Sequence, residues 1–67
     1  MFELSTEMIA QIREARARKN ITLSQASEQI GISKKTLGQI ENEKIIQVQK
    51  RVYTNLTNWL VDSRKPN

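Results

Sequence analysis

Apolar side chains in this chain recur every three or four positions and almost never alternate, a pattern that predicts helices joined by short turns. Met8, Ile9, Ile12 and Ala15 follow Thr6, whose hydroxyl suits a helix cap, and the pattern stops at Asn20, so a first helix is expected over about 6–19. Thr22 caps a second, expected over 23–30 through Leu23, Ala26, Ser27 and Ile30, and Gly31 can take the positive φ of a sharp exit. Ser33 caps a third, over 34–41, in which Leu37 and Ile40 turn inward. Val48, Val52, Leu56, Trp59 and Leu60 mark a fourth, over 48–61, and residues 62–67, with Pro66, are expected to fray. Two glycines, one proline and no alternating β-branched run argue against a sheet. The expected class is all-α, with residues 1–67 forming one domain, a compact four-helix bundle.

The length sets limits on function. A chain of 67 residues can bury only roughly 60% of its unfolded surface, which leaves one thin core and little room for a deep substrate pocket. There is no Cys and no His, which removes thiol nucleophiles, disulfides, zinc-finger ligands and the usual proton shuttle. No cofactor or metal is expected, and binding is favoured over catalysis. Without a covalent or metal staple, such a chain relies on efficient helix packing or on a second copy of itself. No apolar run approaches the roughly 18 to 20 residues of a membrane span, and no basic-then-apolar leader opens the chain, so a cytoplasmic protein is expected.

Charge points to a polyanion. The net charge of +4 lies entirely in the last third: residues 1–43 carry six basic and six acidic side chains, whereas Lys44, Lys50, Arg51, Arg64 and Lys65 face only Asp62.

The most specific signal is the run from Thr22 to Glu41, which reads as a helix-turn-helix. The small Ser27 lets two helices approach, Gly31 makes the turn, and Ile32, Leu37 and Ile40 fix the angle by entering the core, leaving the third helix free to enter a major groove about 12 Å wide. Over about residues 8–60, and most clearly in Gly31-Ile32-Ser33, Thr36-Leu37 and Ile40-Glu41-Asn42, the chain resembles the Cro and C1-type phage repressors and the XRE-like bacterial regulators with lambda-repressor-like DNA-binding domains. That resemblance implies a structural ion pair between Arg16 and Glu41. Two departures stand out. Ser27 occupies a position commonly held by Ala, and Glu43-Lys44-Ile45-Ile46 replaces a loop that commonly carries Gly and then Pro. The fifth helix common in the family finds no apolar material in residues 62–67.

Within the motif, Ser33, Lys34, Lys35, Thr36, Gly38 and Gln39 are the candidate base-contacting residues. Gln39 can pair bidentately with an adenine edge, either lysine can donate to guanine N7 and O6 or to a phosphate, and Gly38 permits close approach. Thr22, Gln25, Asn42, Lys50 and Arg51 are the candidate phosphate contacts. Each has a plainer reading: a solvated charged face for the lysines, helix packing for Gly38, and an ordinary surface for Lys50 and Arg51. Phe2, Leu4, Ile45, Ile46, Trp59 and Val61 fall outside the strongest stripes and are candidates for a dimer surface or for the core. The resulting expectation is a sequence-specific regulator of double-stranded DNA, a Cro-like repressor of a phage or mobile element, bound as a homodimer to half-sites about 34 Å apart. Its rival is a protein-binding module, an antirepressor or antitoxin-like partner on the same fold.

Overall fold

The computed structural model describes residues 1–64. In chain order it contains β1 (Phe2–Glu3), α1 (Thr6–Lys19), α2 (Leu23–Ile30), α3 (Lys34–Glu41), β2 (Gln47–Val48) and α4 (Lys50–Arg64). The class is all-α, a small bundle of four helices.

Each of the first three helices starts on a hydroxyl cap. Ser5 Oγ accepts the Met8 amide at 3.0 Å, Thr22 Oγ1 that of Gln25 at 3.1 Å, and Ser33 Oγ that of Thr36 at 3.0 Å. The cap of α1 is therefore Ser5, and Thr6, expected in that role, is the first helical residue. Both side chains could serve chemically; the chain becomes helical one residue earlier, because Ser5 keeps an extended backbone at φ −74° and ψ 156°. At α2 the cap is reciprocal, with Gln25 Oε1 accepting the Thr22 amide at 2.9 Å.

The first two helices end on left-handed caps, Asn20 at φ 55° and Gly31 at φ 91°, and Glu43, one residue past the Asn42 cap of α3, is left-handed at φ 59°. Each reversal folds the next amides back onto the last turn. Gly31 and Ile32 both donate to the Ser27 carbonyl, and Glu43 and Lys44 donate to those of Ile40 and Gln39. Glycine takes this conformation freely and asparagine tolerates it; glutamate does not.

The core sits where the four helices meet. Ile9, Ile12 and Ala15 of α1, Ala26 and Ile30 of α2, Leu37 and Ile40 of α3, and Leu56, Trp59 and Leu60 of α4 are all buried. Leu4 and Val48 close one end. Ser27 is buried as well, its hydroxyl donating to the Ser24 carbonyl at 2.8 Å, so a polar residue sits in the α2–α3 seam without an unpaired group.

Three sequence expectations change. First, a two-stranded antiparallel ribbon exists, pairing Phe2 with Val48 and Glu3 with Gln47, and the Leu4 amide donates to the Ile46 carbonyl beside it. Second, Val48 belongs to this ribbon, so α4 runs over Lys50–Arg64 rather than 48–61; a valine four residues before Val52 satisfies the helical period while its backbone is extended. Third, residues 62–64 continue the helix rather than fray, and the remainder of the expected tail, 65–67, lies outside the described residues.

Gly31→Ala should test the turn between α2 and α3. A Cβ there meets only Asn55 Nδ2 at 3.5 Å, so space is not the obstacle, but the positive φ is. Denaturant melts should show a loss of about 1–2 kcal/mol; a neutral result would contradict the assigned backbone.

Candidate nucleic-acid interface

The site is built by holding α3 from one side. Leu37 and Ile40 are wholly buried, and Glu41 is 6% exposed. Arg16 reaches Glu41 from α1 through two parallel hydrogen bonds, Nε to Oε2 and Nη2 to Oε1, both 2.9 Å, and its Nη1 donates to the Ile21 carbonyl at 3.4 Å. These bonds, with the carboxylate's charge, hold the Arg16 guanidinium above its ordinary pKa against the opposing effect of burial. A bidentate, largely enclosed pair fixes both distance and orientation, so the end of α3 is pinned to the end of α1.

What remains outward is polar. Ser33, Lys34 and Lys35 are exposed, and Thr36, Gly38 and Gln39 are half-buried. Lys35, Gln39 and Asn42 follow one another at four- and three-residue intervals and so share one row along the free side of the helix. Gly38 is turned toward α2: a Cβ there would lie 3.4 Å from Leu23 Cδ2. The missing side chain lets the start of α2 lie close to α3, beside the Lys35–Gln39–Asn42 row. Ser33 is already committed, accepting the Thr36 amide and donating its hydroxyl proton to Thr36 Oγ1 at 2.8 Å. Of the two hydroxyls, Thr36 therefore keeps the proton available to an acceptor.

Thr22 and Gln25 are exposed at the start of α2, next to this row, but the reciprocal cap engages the Thr22 oxygen and the Gln25 carbonyl oxygen. The Gln25 amide nitrogen and the Thr22 hydroxyl proton are the groups left to donate to an anion. Asn42, exposed, closes α3. Lys50 and Arg51 are exposed in the first turn of α4, which packs chiefly on α1 and α2 rather than on α3. Lys44 was not among the expected contacts, yet the left-handed turn at Glu43 folds it back beside Asn42 with its side chain exposed. A basic residue three positions past the end of the outward helix was the signal available for it.

The electrostatics of these helix starts are unusual. A helix N-terminus carries a partial positive charge that favours acids. Here α3 opens on Lys34 and Lys35 and α4 on Lys50 and Arg51, with no acid in the first turn of either. Such placement opposes stability and favours an incoming anion.

The candidate dimer residues divide. Leu4 and Trp59 are core: Trp59 is 6% exposed, its Nε1 donates to Gln29 Oε1 at 3.0 Å, and the Lys19 ammonium lies 5.8 Å from its ring centroid. Ile45 packs against the core from its edge. Phe2, Ile46 and Val61 are exposed, Phe2 stacking obliquely on Tyr53 with ring centroids 5.3 Å apart. Between α1 and α4 lies an open concavity of about 370 Å³ lined by Met8, Gln11, Tyr53, Leu60 and Val61 among others.

If the helix starts are electrostatically unfavourable, Lys34→Glu and Lys50→Glu should each raise stability, by about 0.5 kcal/mol in low-salt denaturation, with the gain shrinking as salt is added. A loss of stability in both variants would contradict this assignment.

Comparison with known proteins adds one finding. No curated protein and no solved structure matches the chain. A family model described as a helix-turn-helix domain matches residues 11–56, from the middle of α1 through the start of the buried stripe of α4, with α2, the turn and α3 at its centre. That span is most of the chain and contains Arg16, Leu37, Ile40 and Glu41, and the protein therefore belongs to the helix-turn-helix domain family.

Proposed function

We propose that this protein is a sequence-specific regulator of double-stranded DNA, a Cro-like repressor of a phage or mobile element that inserts α3 into a major groove and acts by occupying its operator. The observation that carries the reading is the placement of cations at helix starts where they oppose stability. Lys34 and Lys35 on α3, and Lys50 and Arg51 on α4, gain a favourable role only when a polyanion is bound.

In this reading Ser33, Lys34, Lys35, Thr36, Gly38 and Gln39 form the base-facing edge. Gln39 pairs with an adenine, Lys35 or Lys34 with a guanine, and Gly38 leaves the edge flat enough for close approach. Thr22, Gln25, Asn42, Lys50 and Arg51 hold phosphates and set the register. The Arg16–Glu41 pair is architectural: it keeps the reading helix from rolling. Two copies on a partly palindromic operator would meet through exposed apolar side chains, for which Phe2, Ile46 and Val61 are the candidates. A cytoplasmic site of action follows from this role.

The concavity between α1 and α4, with Val61 exposed at its edge, favours a second reading, in which the fold docks a protein as an antirepressor or antitoxin-like module. The two readings differ in their response to salt, which weakens DNA binding steeply and an apolar contact little.

Selection of bound sites from random duplex DNA at two salt concentrations, with the parent protein and Gln39→Ala, tests the proposal. The parent should enrich a defined half-site and lose affinity as salt rises; the variant should lose preference at one base pair, at about 1–3 kcal/mol of discrimination. Failure of the parent to enrich any sequence would overturn the reading, and unchanged preference in the variant would remove Gln39 from it.

A further inference from the structure

Glu43 combines two costs at one position. Its φ of 59° places a branched-free but Cβ-bearing residue in the left-handed region, where glycine or asparagine would be at ease. Its carboxylate is exposed and takes part in no hydrogen bond or ion pair among the described residues, so no local partner recovers that strain. Backbone strain of this kind persists mainly where function requires the residue.

Its surroundings suggest what that function is. The turn is held firmly, the Glu43 amide donating to the Ile40 carbonyl at 3.0 Å and the Lys44 amide to that of Gln39 at 2.8 Å. Glu43 therefore stands between Asn42, at the end of the outward row, and Lys44, both exposed. A single negative charge is thus fixed at the end of α3, on the element that would carry it toward the sugar-phosphate backbone.

We propose that Glu43 is an electrostatic brake on DNA binding. Resting on the DNA-binding reading above, it opposes the phosphates that Asn42 and Lys44 attract, so that one copy of the domain does not bind DNA by charge alone and tight binding requires base contacts and a second copy. Phosphate attraction dominates non-specific binding, and one carboxylate near the contact line subtracts from it directly.

The test uses a mixed-sequence duplex of about 20 base pairs at low and moderate salt, with affinity measured for the parent, Glu43→Gln, Glu43→Gly and Glu14→Gln. Glu43→Gln removes the charge and keeps the strained backbone; Glu43→Gly removes both. Glu14→Gln makes the same change in net charge on the exposed face of α1, where Glu14 bonds Arg18 at 3.1 Å. Both Glu43 variants should bind about three- to five-fold more tightly, with a log-log salt slope steeper by up to about one, and Glu14→Gln should change affinity by less than about two-fold. Only Glu43→Gly should also raise thermal stability. Equal or weaker binding by Glu43→Gln, a gain confined to Glu43→Gly, or an equal gain in Glu14→Gln would each overturn the proposal. If the parent and every variant leave the duplex unbound at low salt, the DNA-binding reading itself fails.

Discussion

The seam that holds α3 by one face governs the rest of the molecule. Leu37 and Ile40 are removed from solvent altogether, and Glu41 is fastened to Arg16 by two hydrogen bonds. Three helical positions, 37, 40 and 41, cover one face, and at 3.6 residues per turn that leaves 35, 39 and 42 outward, with Gly38 on the flank beside α2. The left-handed exit at Gly31 sets the direction in which α3 departs, and Ser27, small and internally bonded, lets α2 lie close. Hydrophobic packing provides the grip. The ion pair adds orientation more than stability, since a pair drawn out of water gains little net energy but loses much if one partner is removed.

With the helix held in this way, charge placement distinguishes a binding surface from an ordinary solvated one. A domain this small has little stability to spare, yet it opens two helices on cations and turns a third corner on a strained glutamate. The cations are the arrangement expected of a surface matched to phosphate. The glutamate works against it, and on the proposed reading the two together would limit the affinity of that surface.

Much of this was legible in the sequence because it is governed locally. Thr22 and Ser33 announce their helices through side chains that reach an amide three residues on, and Gly31 marks its turn through a conformation other residues resist. The inward positions of α3 follow from spacing alone. What was not legible depended on distant partners or on ties between neighbours. Ser5 and Thr6 offer the same hydroxyl, so the choice of cap rests on which backbone becomes helical. The ribbon is two residues long on each side, and Gln47-Val48 finds its strand partners in Phe2 and Glu3, more than forty residues earlier. Trp59 could be read in sequence as core or as dimer contact, and its place in the core comes with a hydrogen bond to Gln29, thirty residues away. At the site, the order of the outward row was readable, but the nearness of Gly38 to Leu23 and the position of Lys44 were fixed by tertiary packing and by an unexpected left-handed residue.

The central claim, that the outward row of α3 is the surface that meets DNA, can be tested residue by residue by titrating isotope-labelled protein with a duplex and following backbone amide signals. The account predicts shifts concentrated at Lys34, Lys35, Gln39, Asn42 and the start of α2, with Gln11, Thr57 and Val61 on the α1–α4 side unmoved. Shifts centred on the α1–α4 concavity, with α3 silent, would contradict it.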